Sequence, residues 1–182
     1  MITDGAMDMA EGGFMFEKFG EFNSVEELNN AAAVKKAEGN EEELIALAVE
    51  NGLDKEDAED YMDGCTDELA TPVMAAVGKL SVEAADLKLK GILQDWVDEL
   101  SVMCTESEEF SRAVRCKGKD LAGYIALTAD KGYENRAVVD KKIVQRTTEV
   151  KKIIGNHEFA IGIPDKKTRR ELAVKYYQGQ EG

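Results

Sequence analysis

Between Glu38 and Glu68 the chain carries thirteen acidic residues and a single base, Lys55, yet apolar residues recur through the same stretch at helical spacing. Unpaired carboxylates cannot be buried without a large cost, so this stretch is restricted to helices with one dry face and one anionic face. A disordered acidic tail would lack the apolar period. Helix formers dominate the rest of the 182 residues, and only Pro72 and Pro164 interrupt them. The expected fold is therefore mainly all-α, a compact multi-helix protein with one sizeable core or two small ones.

Within the acidic stretch, Leu44, Ala48, Gly52, Leu53 and Ala58 follow the pattern of a helix-turn-helix. An alanine lies in the first helix, a glycine four residues on turns the chain, and an apolar residue opens the second. That second helix would enter a DNA groove in a DNA reader. Here Asp54 to Asp63 holds six carboxylates and one lysine, and phosphates repel such a helix.

Taken in order, residues 1–13 read as a mobile acidic leader. Residues 14–68 read as an acidic helical subdomain, and residues 69–182 as a helical core with a basic C-terminal region. Phe14, Phe16, Phe19 and Phe22 place four of the six phenylalanines in nine residues, which predicts that this stretch docks on the body. Ser24 and Glu27 form a capping box for a helix over 25–37 that ends at Gly39. Helices follow from Asn40 to Asn51, from Asp54 to Gly64, and from Thr71-Pro72, where Val73, Met74, Val77 and Leu80 form the apolar face. After Gly91, the stripe of Ile92, Leu93, Trp96, Val97, Leu100, Met103 and Cys104 marks the main core helix. Shorter helices over 108–116 and 120–131 follow, and a helix resumes at Asp140. The β-branched runs TTEVKKII and HEFAIGIP flank Gly155-Asn156 and predict a small β-hairpin within 146–163. Asp165 caps a last helix whose apolar side holds Leu172, Ala173, Tyr176 and Tyr177.

Charge divides the chain. Residues 1–110 hold 28 acids and 7 bases, and residues 111–182 hold 9 acids and 16 bases, so the halves are −21 and +7 within a total of −14. Such halves either neutralise one another, within the fold or across a homo-oligomer, or present two surfaces to different partners. The candidate acidic surface is Glu41, Glu42, Asp54, Glu56, Asp57, Glu59, Asp60 and Asp63. The candidate basic surface is Arg112, Arg115, Lys117, Lys119, Lys141, Lys142, Lys151, Lys152, Lys166, Lys167, Arg169 and Arg170. The last four lie in the first turns of a helix, where the dipole disfavours cations, so a purely structural role gains nothing from them.

Nothing in the chain reads as an enzyme. The lone His157 lies in an expected turn, no glycine-rich phosphate loop occurs, and the acidic run lacks the alternating ligands and central glycine of a calcium loop. No metal site or cofactor is expected. Cys65, Cys104 and Cys116 are odd in number and widely spaced, which predicts reduced, partly buried thiols. The leader lacks signal-peptide regions and no apolar run is long enough to span a bilayer, so a protein that stays in the cytoplasm where it is made is expected, with no membrane partner.

The segments MFEKFGEFNSVEELNNAAA, ELATPVMAAVGKL, LKGILQDWVDEL, KGKDLAGYIALTA and IGIPDKKTRRELAVKYYQG resemble the type II-A anti-CRISPR family from phages and mobile elements of gut clostridia. The resemblance spans nearly the whole chain from Met15. NRAVVDKKIV and AVKYYQG are also similar to a second inhibitor group related to conjugative-plasmid proteins. The resemblance implies a non-enzymatic inhibitor that binds the guide-RNA-loaded nuclease Cas9 and blocks cleavage of target DNA. No segment carries a contact residue over. Since the nuclease holds its nucleic acids in a positively charged channel, the acidic surface would serve as a phosphate mimic and the basic half would touch guide or target. The alternative is a DNA-binding regulatory or accessory protein of a phage or mobile element, with double-stranded DNA as its partner.

Overall fold

The computed structural model describes residues 15–179, so the expected leader and Phe14 lie outside the described residues. Among the described residues, helices α1 (Val25–Ala37), α2 (Glu41–Glu50), α3 (Lys55–Met62), α4 (Pro72–Asp86), α5 (Ile92–Glu106), α6 (Glu108–Arg115) and α7 (Leu121–Glu134) follow one another. Then come β1 (Ala137–Val138), α8 (Lys141–Val144), α9 (Glu149–Ile154), β2 (Ala160–Ile161) and α10 (Lys166–Gln178). The fold is all-α with one two-stranded antiparallel sheet.

Short polar side chains start most of the helices. Asn40, Thr71, Ser107, Asp120 and Asp165 each accept a hydrogen bond from a backbone N–H in the first turn. At α1 the expected box is altered: Ser24 accepts from the Glu27 N–H, but the Glu27 carboxylate takes the backbone N–H of Asn23, one residue further out, at 2.7 Å. Gly39 and Gly64 end α1 and α3 with positive φ, as their positions predict.

Two apolar clusters meet along α4. One gathers Val25, Leu28, Leu44, Leu47, Leu53, Ala58, Tyr61 and Leu69 from the first three helices, and Phe19 and Phe22 pack against it. The other gathers Leu80, Trp96, Val97, Leu100, Phe110, Val114, Leu121, Tyr124 and Tyr177 from α4 to α7 and α10. Ala75 of α4 faces the first cluster and Ala76 the second. The α2–α3 turn lies directly on α4, because Gly52 (φ +72°) and Gly78 touch backbone to backbone. A Cβ on Gly52 would stand 2.2 Å from the Gly78 carbonyl oxygen, and one on Gly78 would stand 2.4 Å from that of Asn51.

This central position changes the expected face of α4. Val73, Met74 and Val77 are only half-buried, and the fully buried stripe is Ala75, Ala76, Lys79, Leu80, Glu83 and Ala84. A helix packed on both sides needs small residues, so its inner surface does not follow the largest apolar side chains. For a related reason Ile92, at the very start of α5, is exposed while the rest of the predicted stripe is covered.

The β-pairing is where the expected hairpin needs correction. β2 lies inside 146–163, but its partner is β1, with Ala137 opposite Ile161 and Val138 opposite Ala160. The run TTEVKKII forms α9 instead. Its Glu149 and Lys152 pair at 2.9 Å one turn apart, Gly155 closes it with φ +57°, and none of its residues is buried. β-branched side chains favour a strand through packing on a half-buried surface, and this segment has no such surface.

Candidate functional site

The acidic candidates converge on α2 and α3. Leu44, Leu47 and Ala48 of α2 and Ala58 and Tyr61 of α3 are drawn inward, which turns the intervening carboxylates out. Glu41, Glu42, Asp54, Glu56, Asp60 and Asp63 are all exposed, and no ion pair within the described residues neutralises them. The other two candidates have local structural tasks. Asp57 accepts the Asp54 backbone N–H at 3.0 Å in a capping box, and Glu59 pairs with Lys55 one turn back. Beside them, Asp57, Asp60, Asp67 and Glu68 ring a depression of about 440 Å³ floored by Leu69 and Met74.

The basic candidates do not form one face. Arg115 is fully buried: its Nη2 donates to the Asn51 Oδ1 at 2.9 Å and its Nη1 to the Phe22 carbonyl at 3.3 Å. Burial lowers its pKa from the usual arginine value, and its Nε has no partner. It ties α6 to the α2–α3 turn and to the phenylalanine-rich strap, so it is removed from the surface set. Arg112 is exposed but bridges Glu26 and Glu108, which raises its pKa.

Arg169 and Arg170 also have structural partners, contrary to the expectation that a structural role gains nothing from cations at this helix start. Arg169 lies on Glu99 of α5 at 2.8 Å and donates to the Pro164 carbonyl at 2.7 Å, and Arg170 pairs with Glu106. These contacts dock α10 on α5, and a close carboxylate outweighs a helix dipole worth a few tenths of a kcal/mol. Lys166 and Lys167 remain exposed, the latter 3.8 Å from Glu171. Lys117 is exposed, and half-buried Lys119 lies over the Tyr176 ring at 5.0 Å. Lys141, Lys142, Lys151 and Lys152 are exposed on α8 and α9, and of these only Lys152 has an acidic partner.

A polar network inside the protein escaped the sequence reading. Lys79 is 1% exposed, and its ammonium donates to the carbonyls of Cys116 and Lys119 at 2.7 and 2.9 Å and pairs with Glu21 at 2.8 Å. Glu83, one turn on, accepts the Leu121 N–H at 2.7 Å with one oxygen. Its other oxygen has no hydrogen bond, the Lys79 ammonium being 3.7 Å away. Desolvation pushes the Glu83 carboxyl up to about 7. The network joins the strap, α4 and the α6–α7 loop. The spacing was informative: 75, 76, 79, 80, 83 and 84 form one helical stripe, as do 110, 111, 114 and 115. Lys79, Glu83 and Arg115 fall on those stripes as polar intruders.

The three cysteines are unpaired thiols. Cys104 is buried and pushed up to about 11 by desolvation, whereas Cys65 and Cys116 are exposed. His157 is exposed beyond α9. Among the described residues no cluster of three metal-ligating side chains occurs, and no helix is long and apolar enough to cross a membrane. Comparison with protein-family models, curated proteins and solved structures finds no match to this chain.

Proposed function

We propose that this protein is a non-enzymatic inhibitor of the RNA-guided nuclease Cas9, and that it binds through the α2–α3 face as a phosphate mimic. The reading begins in the anti-CRISPR resemblance, and one observation supports it above the rest. Six exposed carboxylates that no ion pair among the described residues neutralises stand on two packed helices, a rigid anionic surface of the kind a positively charged nucleic-acid channel accepts. The test replaces Glu42, Glu56, Asp60 and Asp63 with lysine and leaves Asp54, Asp57 and Glu59 to hold α3. Binding to the guide-loaded nuclease falls at least tenfold, with an unchanged far-ultraviolet spectrum. Undiminished binding sinks the mimic.

The DNA-binding accessory protein is the second reading. It is favoured by exposed Lys141, Lys142 and Lys151, which have no acidic partner among the described residues. It requires a salt-sensitive gel shift with duplex DNA that disappears when these lysines become glutamate.

A further inference from the structure

The segment from Tyr133 to Ile163 turns many of its apolar side chains outward. Among the described residues, six of the thirteen exposed large hydrophobic side chains belong to it: Tyr133, Val138, Ile143, Ile153, Ile161 and Ile163. Ile153, at 83%, is the most exposed of these thirteen. One exposed isoleucine is ordinary, but this concentration marks an interaction surface. Among these residues stand Arg136, Lys141, Lys142, Arg146, Lys151 and Lys152, against four acids, Glu134, Asp140, Glu149 and Glu158.

The combination selects the occupant. A phosphate backbone would use the cations and leave the isoleucines wet, so the surface fits a protein that is apolar at its centre and acidic around it. This chain carries such a surface. On α2, half-buried Ile45 and Ala46 and exposed Val49 follow Glu42 along one helical face, with Glu41, Asp54 and Glu56 exposed nearby. No ion pair joins the two regions within one chain among the described residues, so both charges remain open. Pairing the basic segment with its own copy would oppose six cations to six, which like-charge repulsion disfavours.

We infer that the 133–163 segment is a docking surface for the acidic α2–α3 face of a second copy of this chain, the two contacts repeating reciprocally about a two-fold axis. The dimer covers the same acidic face that the proposed inhibition uses, so nuclease and second copy compete for it.

Sedimentation velocity of the full chain tests this without any nuclease, so its outcome is independent of the inhibitor reading. The wild type sediments as a dimer at low salt and dissociates as salt rises. Ile153→Asp, which alters an exposed side chain, yields a monomer. A basic-segment variant (K141E, K142E, K151E, K152E) and an acidic-face variant (E42K, E56K, D60K) are each monomeric, and mixing them restores a dimer because one contact then has its charges exchanged and the other keeps the native pairing. A wild type that is monomeric at every salt concentration overturns the inference. So does a dimer that all three variants leave intact, or a mixture that does not reassociate.

Discussion

Glu83 is the side chain whose ionisation the fold opposes most clearly. Burial pushes its carboxyl up to about 7 from the ordinary 4.5 of the unfolded chain, and Lys79 only partly offsets this. A raised carboxyl pKa gives stability that is complete below the unfolded value and is lost as pH rises through the folded one. The affected window is therefore about pH 4.5 to 7, and the loss is on the order of 2–3 kcal/mol. Glu83→Gln keeps an acceptor for the Leu121 N–H and removes the charge. The midpoint of urea unfolding, followed from pH 5 to 8, is expected to decline less in this variant than in the wild type; parallel profiles would contradict the assignment. Arg115→Met makes the complementary point. It strands Asn51 without its guanidinium partner and is expected to cost about 2–4 kcal/mol, whereas a surface arginine would cost almost nothing. Charge alone places Arg115 on the basic surface and says nothing of Glu83; only their positions on the buried stripes of α6 and α4 point inward.

At the scale of elements, caps and glycines made most helices legible. Asn40, Asp54, Thr71 and Asp165 start helices where expected, and Gly39, Gly52 and Gly64 turn the chain with positive φ. The element that could not be read was α9, since β-branched composition reports a preference for packing and only the folded chain reveals that no residue of this helix is fully buried. The inner face of α4 was missed likewise, because which side of a helix carries the closest contact depends on its neighbours. Gly78 gives a test with opposed terms. Alanine in mid-helix favours the folded state by about 1 kcal/mol over glycine, but its Cβ would meet the Asn51 carbonyl at 2.4 Å. Overpacking of that kind costs about 1–3 kcal/mol, so Gly78→Ala is expected to lower the thermal midpoint, and a raised midpoint would show that the α2–α3 turn is free to move. Ile153→Thr on exposed α9 should leave stability of the free chain within about 0.5 kcal/mol, as judged by denaturant unfolding.

Among the described residues the charge division survives folding more completely on the acidic side. Many of the back half's cations, Arg112, Arg115, Arg169 and Arg170 among them, are held by partners within the fold. The acids of α2 and α3 mostly are not, and this leaves an anionic face much stronger than any cationic one. The sequence made that face legible because apolar periodicity and charge were read from the same residues; the dispersal of the basic set was illegible because it depends on contacts between distant segments such as α5 and α10. The proposed function directs the anionic face at the nuclease and away from DNA. Target-DNA cleavage by guide-loaded Cas9, titrated with this protein beside a gel shift of the same duplex with the protein alone, tests it most directly. Inhibition at near-stoichiometric protein with little or no shift of free DNA is expected. Full cleavage at large protein excess, with salt-sensitive binding to the duplex, would contradict it.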